Sequence, residues 1–313
     1  MAVRWSFDDM PDQAGRTVVV TGASSGLGLV LADRLARRGA SVIMAVRDVA
    51  KGERIRAGLT GDLEVRQVDL GDLDSVRRFA DGLHADDRRI DVLVNNAGIG
   101  GQTRELTPQG YESVFATNHL GAFALTGLLL DLFRPDRDPR VVAVGSNLYR
   151  RIRPRTDFED LSAERSFAPG PAYVKSKLAN ILFGAELDRR LRRAGSPVRS
   201  LLSHPGMAST PMHDGARTVA QKAMVTIGGA LFSRPVEQAA LPLAFAATDP
   251  AARTGVLLGF AARKKDIRVH FDALVPPADD RRLATRLWRI SEEATGVRYL
   301  SDAVLAEGDD QRL

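Results

Sequence analysis

The glycine-rich turn Thr21-Gly22-Ala23-Ser24-Ser25-Gly26-Leu27-Gly28 constrains this chain most, because it lies directly between a β-branched apolar run and a helical stretch. Glycines at a strand-to-helix turn let the backbone bend sharply and bring N–H groups close to a phosphate, where the helix N-terminus favours negative charge. The spacing is Gly-x-x-x-Gly-x-Gly rather than the commoner Gly-x-Gly-x-x-Gly dinucleotide pattern. Such a turn implies a parallel sheet with crossover helices, and the rest of the chain continues that alternation. Apolar runs at 17–21, 41–46, 63–68, 91–94, 140–144, 198–203 and 255–258 read as strands, with amphipathic stretches between them. Thr107-Pro108 reads as a helix start, because proline at the first helical position loses no needed hydrogen bond. Continuous apolar strands imply a sheet covered on both faces.

The expected fold is therefore α/β: a single-domain, Rossmann-type, doubly wound parallel sheet of about seven strands flanked by helices. One domain spans 1–313, with a core over 16–260, a lid segment on the substrate side at about 207–234 and a C-terminal extension over 261–313. Two stretches interrupt the alternation, 147–171 and 213–234. Both follow strand ends, where ligands of open α/β sheets bind, so pocket walls and surface insertions both fit them.

Composition excludes several classes of function. The chain has no cysteine, hence no disulfide, thiolate metal site or cysteine nucleophile, and no metal is expected. No window approaches the roughly 18 apolar residues of a membrane span, and the N-terminal residues lack a signal-peptide pattern, so the expected location is cytoplasmic. The net charge is +5, but only six of the 44 cationic residues are lysines, and the arginines are scattered along the chain. Nucleic-acid binding is not expected; a small-molecule substrate is, with a homo-oligomer left open.

The residues that carry chemistry follow strand ends. At the end of the second strand, Ala45-Val46-Arg47-Asp48 stands where an acidic residue would otherwise bind a ribose 2′-hydroxyl. A guanidinium grips a 2′-phosphate and a carboxylate repels it, so Arg47 favours NADP(H) over NAD. Asn95-Asn96-Ala97-Gly98 follows the fourth strand, and Asn118 sits within a helical run, where asparagine is locally unfavourable unless it hydrogen-bonds. Ser146 follows the fifth strand. Tyr173 and Lys177 are four apart and share a helix face. An ammonium beside a phenol stabilises the phenolate and would lower the Tyr173 pKa, letting Tyr173 exchange a proton with a carbonyl oxygen that Ser146 also hydrogen-bonds.

In this order the motifs resemble the short-chain dehydrogenase/reductase family from about Arg16 to Gly259, with further similarity over Trp288 to Tyr299. The resemblance implies a catalytic tetrad of Asn118, Ser146, Tyr173 and Lys177. It places NADP(H) on Gly22, Ser24, Ser25, Gly26, Leu27 and Gly28, with Arg47 at the 2′-phosphate. Asp69 would bind the adenine with Leu70 beside it, Asn95, Ala97 and Gly98 would border the adenosine ribose, Tyr173 and Lys177 would meet the nicotinamide ribose, and Thr210 its carboxamide. Arg47 in Val-Arg-Asp, the block from Ser176 to Phe183, His204 before Pro205-Gly206 and the 27-residue step from Ser146 to Tyr173 are similar to the branch of retinol dehydrogenases, WW-domain oxidoreductases and protochlorophyllide reductases. The apolar N-terminal anchor of membrane-bound retinol enzymes is not seen, which argues against a retinoid.

The expected activity is NADPH-dependent reduction of a carbonyl, or oxidation of the alcohol, on a small to medium hydrophobic or polycyclic substrate. Other chemistry on the same cofactor (C=C reduction, isomerisation or dehydration) stays open, as does a non-catalytic NADP-binding sensor or scaffold, against which the intact tetrad argues. The cluster Arg150-Arg151-Ile152-Arg153-Pro154-Arg155 reads as a solvated loop, or as a greeting for an anionic substrate or acidic carrier protein.

Overall fold

The computed structural model describes residues 1–150, 157–206, 234–260 and 267–300. Along the chain the strands are β1 (Ala2–Val3), β2 (Thr17–Thr21), β3 (Ser41–Val46), β4 (Asp62–Gln67), β5 (Val92–Asn95), β6 (Arg140–Val144), β7 (Arg199–Ser203), β8 (Val256–Gly259) and β9 (Val269–Ala273). They form one sheet in the order β1-β9-β8-β7-β6-β5-β2-β3-β4. Strands β2 to β8 pair in parallel, whereas β9 and β1 extend the edge in antiparallel pairing. The seven expected strands are present to within about a residue. The two edge strands were not expected: β1 has only two residues, and the Val-His-Phe-Asp-Ala of β9 has no continuous apolar run.

The helices are α1 (Gly26–Arg37), α2 (Val49–Arg56), α3 (Leu73–Ala85), α4 (Ser113–Phe115), α5 (Gly121–Leu128), α6 (Pro169–Arg193), α7 (Val236–Ala239), α8 (Leu241–Thr248) and α9 (Arg281–Thr295). Strand residues alternate between two buried faces, as a period of two requires. Val18, Val20, Met44 and Val94 pack with α1 and α8, whereas Val19, Ile43 and Leu93 pack with α3 and α5. A sheet covered on both faces explains why these strands are apolar throughout. None of the helices among the described residues is long and apolar enough to cross a membrane.

Thr107-Pro108 does not start a helix. The Thr107 and Tyr111 backbones close a turn there, and α4 begins at Ser113, where the buried Glu112 carboxylate accepts from the N–H groups of Val114 and Phe115 at 2.8 and 2.9 Å. A carboxylate that satisfies two orphan donors at the positive helix end outweighs the proline preference. A π turn over Ala116–Leu120 joins α4 to α5.

The described part of the C-terminal extension belongs to the core. Trp288 of α9 stacks on Phe183 of α6, meets Phe123 of α5 edge-on at 5.0 Å, and touches Tyr299 at 4.9 Å, with the Arg190 guanidinium 4.6 Å from its ring. Trp288→Ala is expected to destabilise the protein by about 3–5 kcal/mol, as for other fully buried large aromatics. Equilibrium urea unfolding checks this, and a change under about 1 kcal/mol would show that α9 docks weakly.

Candidate active site

All parallel strands end at one edge of the sheet, and the strand order reverses between β2 and β5, which makes the crevice outside their C-terminal ends the natural ligand site. A single hydroxyl holds the two turns there together. Thr21 Oγ1 donates to the Val94 carbonyl at 3.1 Å and accepts from the N–H groups of Asn96 and Ala97, both at 3.0 Å. Asn96 Nδ2 returns a hydrogen bond to the Thr21 carbonyl at 2.8 Å. Gly22 takes φ +68°. At Gly28 a Cβ would stand 2.5 Å from Asn96 Nδ2 and 2.6 Å from the Gly22 carbonyl oxygen, so only glycine lets α1 sit so close to the turn. The half-buried Ser24, Ser25 and Gly26, with Leu27 buried behind them, bring the N-terminus of α1 to the crevice.

Beyond β3 the two candidates at the ribose position part company. The Asp48 carboxylate caps α2, accepting from the Lys51 N–H at 2.9 Å. Arg47 is exposed and makes no hydrogen bond or ion pair with a described residue. After β4, Asp69 Oδ1 accepts from the Gly71 N–H at 2.9 Å, which shapes the turn carrying the buried Leu70. Asn95 differs from expectation: its side chain is buried and turns into α5, donating to Thr126 Oγ1 at 2.9 Å, so Ala97 and Gly98 are left to face the crevice.

Asn118 lies in the π turn, 1% exposed, and binds in three directions. Its Oδ1 accepts from the Ile99 N–H at 2.7 Å, and its Nδ2 donates to the Ile99 carbonyl at 3.0 Å and to Ser176 Oγ at 2.9 Å. Ser176 Oγ in turn donates to the Tyr173 carbonyl at 2.8 Å. Asn118 thereby clamps the segment after β5 to the first turns of α6. Single π turns recur at functional sites because they re-aim one side chain within a helix.

Lys177 is 3% exposed, and its Nζ donates to the Val144 carbonyl at 3.3 Å. A Cβ on Gly98 would stand 3.0 Å from that Nζ. The Tyr173 ring centroid is 5.9 Å from Nζ. Ser146 follows β6, its Oγ accepting from the Leu148 N–H at 3.3 Å, and a Cβ on its neighbour Gly145 would be 3.7 Å from the Lys177 carbonyl oxygen. Asn118, Ser146, Tyr173 and Lys177 are thus drawn together where β5 and β6 end.

The electrostatics differ from the expected pattern. Burial pushes the Tyr173 phenol up to about 12 and the Lys177 ammonium down to about 8, so desolvation drives both toward neutrality and the expected lowering of Tyr173 is not seen. Thr210, nearly all of the expected lid and Arg151, Arg153 and Arg155 lie outside the described residues. Arg150 is tied to β9, pairing with Asp272 at 3.2 Å and donating to the Ala273 carbonyl at 3.1 Å. A concavity of about 530 Å³ beside α6 reaches Asp188 and Arg192; these lie four to five turns past Tyr173, about 22 to 28 Å along the helix, and away from this chemistry. No group of three metal-ligating side chains occurs among the described residues.

Sequence reasoning gave no role of their own to Thr21, Asn96, His119 and Asn180, although Thr21, Asn96 and Asn180 lie within motifs it singled out and His119 adjoins Asn118. His119 is wholly buried between Phe115, Phe123 and Phe183, and burial pushes it down to about 3. His204, after β7, is pushed down to about 4 by burial, and its Nδ1 accepts from the Gly206 N–H at 3.1 Å.

The chain is similar to known proteins of one family. The short chain dehydrogenase family profile matches residues 16–157. Retinol dehydrogenase 14 of Mus musculus is 37% identical over 301 residues, covering 90% of this chain and 86% of that protein. Retinol dehydrogenase 12 of Homo sapiens is 34% identical over 296 residues, covering 91% and 88%. Among solved structures, an uncharacterized protein from Mycobacterium Paratuberculosis is 41% identical with a TM-score of 0.78, covering 94% of this chain and 98% of that one. A structure described as an NAD(P) dependent gluconate 5-dehydrogenase from Beutenbergia cavernae, with NADP bound at low occupancy, is 28% identical with a TM-score of 0.58, covering 80% and 96%.

Both buried histidines are neutral when folded and have depressed pKa values, so the unfolded chain takes up protons first as pH falls. Stability is full above about 6.5 and is lost progressively toward about 3, by up to about 1.4 kcal/mol per pH unit for each histidine. Thermal midpoints measured from pH 7 to 4 are expected to fall, and more steeply for the parent than for His119→Phe; equal slopes would show that His119 does not carry this linkage.

Proposed function

The chain belongs to the short-chain dehydrogenase/reductase family and is an oxidoreductase of its retinol dehydrogenase-like branch; from that premise we propose that it uses NADP(H) to reduce a carbonyl, or oxidise the matching alcohol, on a hydrophobic substrate. One observation carries the reading. The buried Lys177 ammonium is docked on Val144, against Gly98 and on the Tyr173 face of α6, at the crevice where the strand order reverses.

The residues fit a dinucleotide. Gly28 allows α1 to close on a turn whose N–H groups would donate to phosphate oxygens, with Gly22, Ser24, Ser25, Gly26 and Leu27 completing the cradle. Arg47, free of described partners and beside an Asp48 committed to α2, would grip the 2′-phosphate. Asp69, Leu70, Asn95, Ala97 and Gly98 would flank the adenosine, with the Asn95 side chain acting only through the shape of its turn. Bound nicotinamide supplies or takes up the hydride.

The chain's own groups manage the proton. A phenol pushed up to about 12 holds its proton at neutral pH, so Tyr173 can donate it from Oη to a developing alkoxide. The Ser146 hydroxyl would hydrogen-bond the same oxygen, and Lys177 would bind the ribose and stabilise the phenolate that remains. Asn118 orients these groups by fixing Ile99 and Ser176. The names of the retinol dehydrogenase relatives fit an apolar alcohol or carbonyl of small to medium size.

A screen of aldehydes and ketones that follows NADPH consumption tests the reaction. Tyr173→Phe is expected to retain NADPH binding and lose roughly 10²- to 10⁴-fold in kcat on every hit. A variant that binds NADPH and turns over as fast as the parent would sink the mechanism. Arg47→Asp is expected to raise the KM for NADPH about 10- to 100-fold, the worth of one charged hydrogen-bonded contact, while changing that for NADH less than about threefold. Equal KM changes for both cofactors would remove the assignment of Arg47.

A further inference from the structure

A second concavity, of about 750 Å³, lies along the seam between α9 and the C-terminal part of α6. Four exposed arginines of α9 line it, Arg281, Arg282, Arg286 and Arg289, together with the buried Arg190 and Trp288. The buried pair is fixed. Arg190 donates to Glu186 Oε1 and to the Leu300 carbonyl, both at 2.7 Å, and its guanidinium is 4.6 Å from the Trp288 ring. Arg190 comes 17 residues after Tyr173, about 25 Å along α6, so this concavity is separate from the crevice at the strand ends.

The exposed arginines are short of partners. Arg281 and Arg282 make no hydrogen bond or ion pair with a described residue. Arg286 pairs with Glu159, and Arg289 stands 3.9 Å from Glu293, but their side chains are 55% and 70% exposed, where an ion pair holds weakly. Arg282, Arg286 and Arg289 are spaced four and three apart and so share one face of α9, where like charges repel. A bound anion would relieve that repulsion, and guanidinium groups present paired donors that match the oxygens of a phosphate.

The extent of the cationic strip selects the size of the ligand. From Arg281 to Arg289 the helix rises about 12 Å. The exposed Asp279 and Asp280 precede the strip and the exposed Glu293 follows it. An acidic protein face or an anionic membrane would be laid over those carboxylates as well, whereas a small molecule need meet only the arginines, and the volume lies within the range of small-ligand sites. The lining also offers acceptors. Thr285 Oγ1 directs its proton to Glu186 Oε1 at 3.4 Å and keeps its lone pairs, and Glu292 Oε1 has no hydrogen-bond partner among the described residues. Trp288 Nε1, a donor, is likewise covered and unpaired, a state that calls for a partner.

We propose that this concavity binds a phosphorylated small molecule that also carries hydroxyl groups, a sugar phosphate in chemical class, with Arg281 and Arg282 on the phosphate and Thr285 and Glu292 on the hydroxyls. Nothing in the reading of Tyr173 and Lys177 is needed for it.

The test is calorimetric titration of the full chain with ribose 5-phosphate. At about 0.15 M KCl, where weak surface attraction is screened, saturable binding is expected with a Kd below about 1 mM. The Arg281→Ser, Arg282→Ser double variant is expected to weaken it at least about tenfold, and Arg47→Ser, at the cofactor crevice, to change it less than about twofold. Inorganic phosphate is expected to bind about tenfold more weakly than ribose 5-phosphate, because it offers no hydroxyls to Thr285 and Glu292. The chain has two tryptophans, so Trp5→Phe leaves Trp288 as its one indole, and the emission of that variant should change with the calorimetric Kd. Failure to saturate overturns the proposal, as do binding that the double variant retains, binding that Arg47→Ser abolishes, and inorganic phosphate that binds as tightly as the sugar phosphate. If the double variant does not fold, Arg289→Ser is held to the same threshold, and if Trp5→Phe does not fold, calorimetry on the unsubstituted chain and the arginine variants decides.

Discussion

Burying Lys177 is the constraint around which the end of α6 is built. An ammonium removed from water is unfavourable by several kcal/mol unless its donors find acceptors, and among the described residues Lys177 has one acceptor, the Val144 carbonyl, with no carboxylate to balance it. Packing must therefore over-determine its place. Gly98 leaves room above the amine, Asn118 pins the neighbouring segment to Ser176, and Asn180 steadies the same carbonyl from one turn below. A lysine held this way has a pKa near working pH and a single geometry, which suits the proposed role of stabilising a phenolate and holding a ribose.

The second support is at the other side of the crevice. Parallel strands end together, but nothing in sheet geometry alone fixes the distance between the turns that follow β2 and β5. Thr21 does so by serving three backbone groups with one hydroxyl, and Asn96 locks the pair from above. A valine at Thr21 would be as good a strand residue and would leave the Ala97 N–H to find another partner, while the Asn96 N–H kept its bond to the Val94 carbonyl, so the hydroxyl is there for the turns rather than the strand.

Much of this was legible in the sequence. Apolar runs of fixed length located β2 to β8, because a sheet buried on both faces admits little else, and the order of the Gly22–Gly28 turn, Asn118, Ser146, Tyr173 and Lys177 pointed to the candidate site at the ends of β5 and β6. What failed to read failed for physical reasons. Thr107-Pro108 looked like a helix start, but Glu112 caps better through two charged hydrogen bonds. Asn95 was expected to border the ribose, and sequence does not show that its side chain turns away to Thr126, as successive side chains of a strand face opposite sides. Asp48 clouded the cofactor reading because sequence does not show that its carboxylate is bound to the Lys51 N–H. His119 and Asn180 carry no pattern of their own; only folding shows that both are buried, each with a polar atom left unpaired.

The sign of the Tyr173 shift bears on the direction of the proposed reaction. Sequence spacing suggested a phenol lowered by its lysine, yet burial dominates, and the phenol rises to about 12 while the amine falls to about 8. At neutral pH such a phenol is protonated almost without exception, which suits donation to a carbonyl oxygen. Taking a proton from an alcohol would first require forming the phenolate, and the ammonium that could stabilise it is itself depressed by the same burial. A site of this kind enters the cycle with its proton already in place, which fits the proposed reduction, and an NADP(H) preference from Arg47 would point the same way.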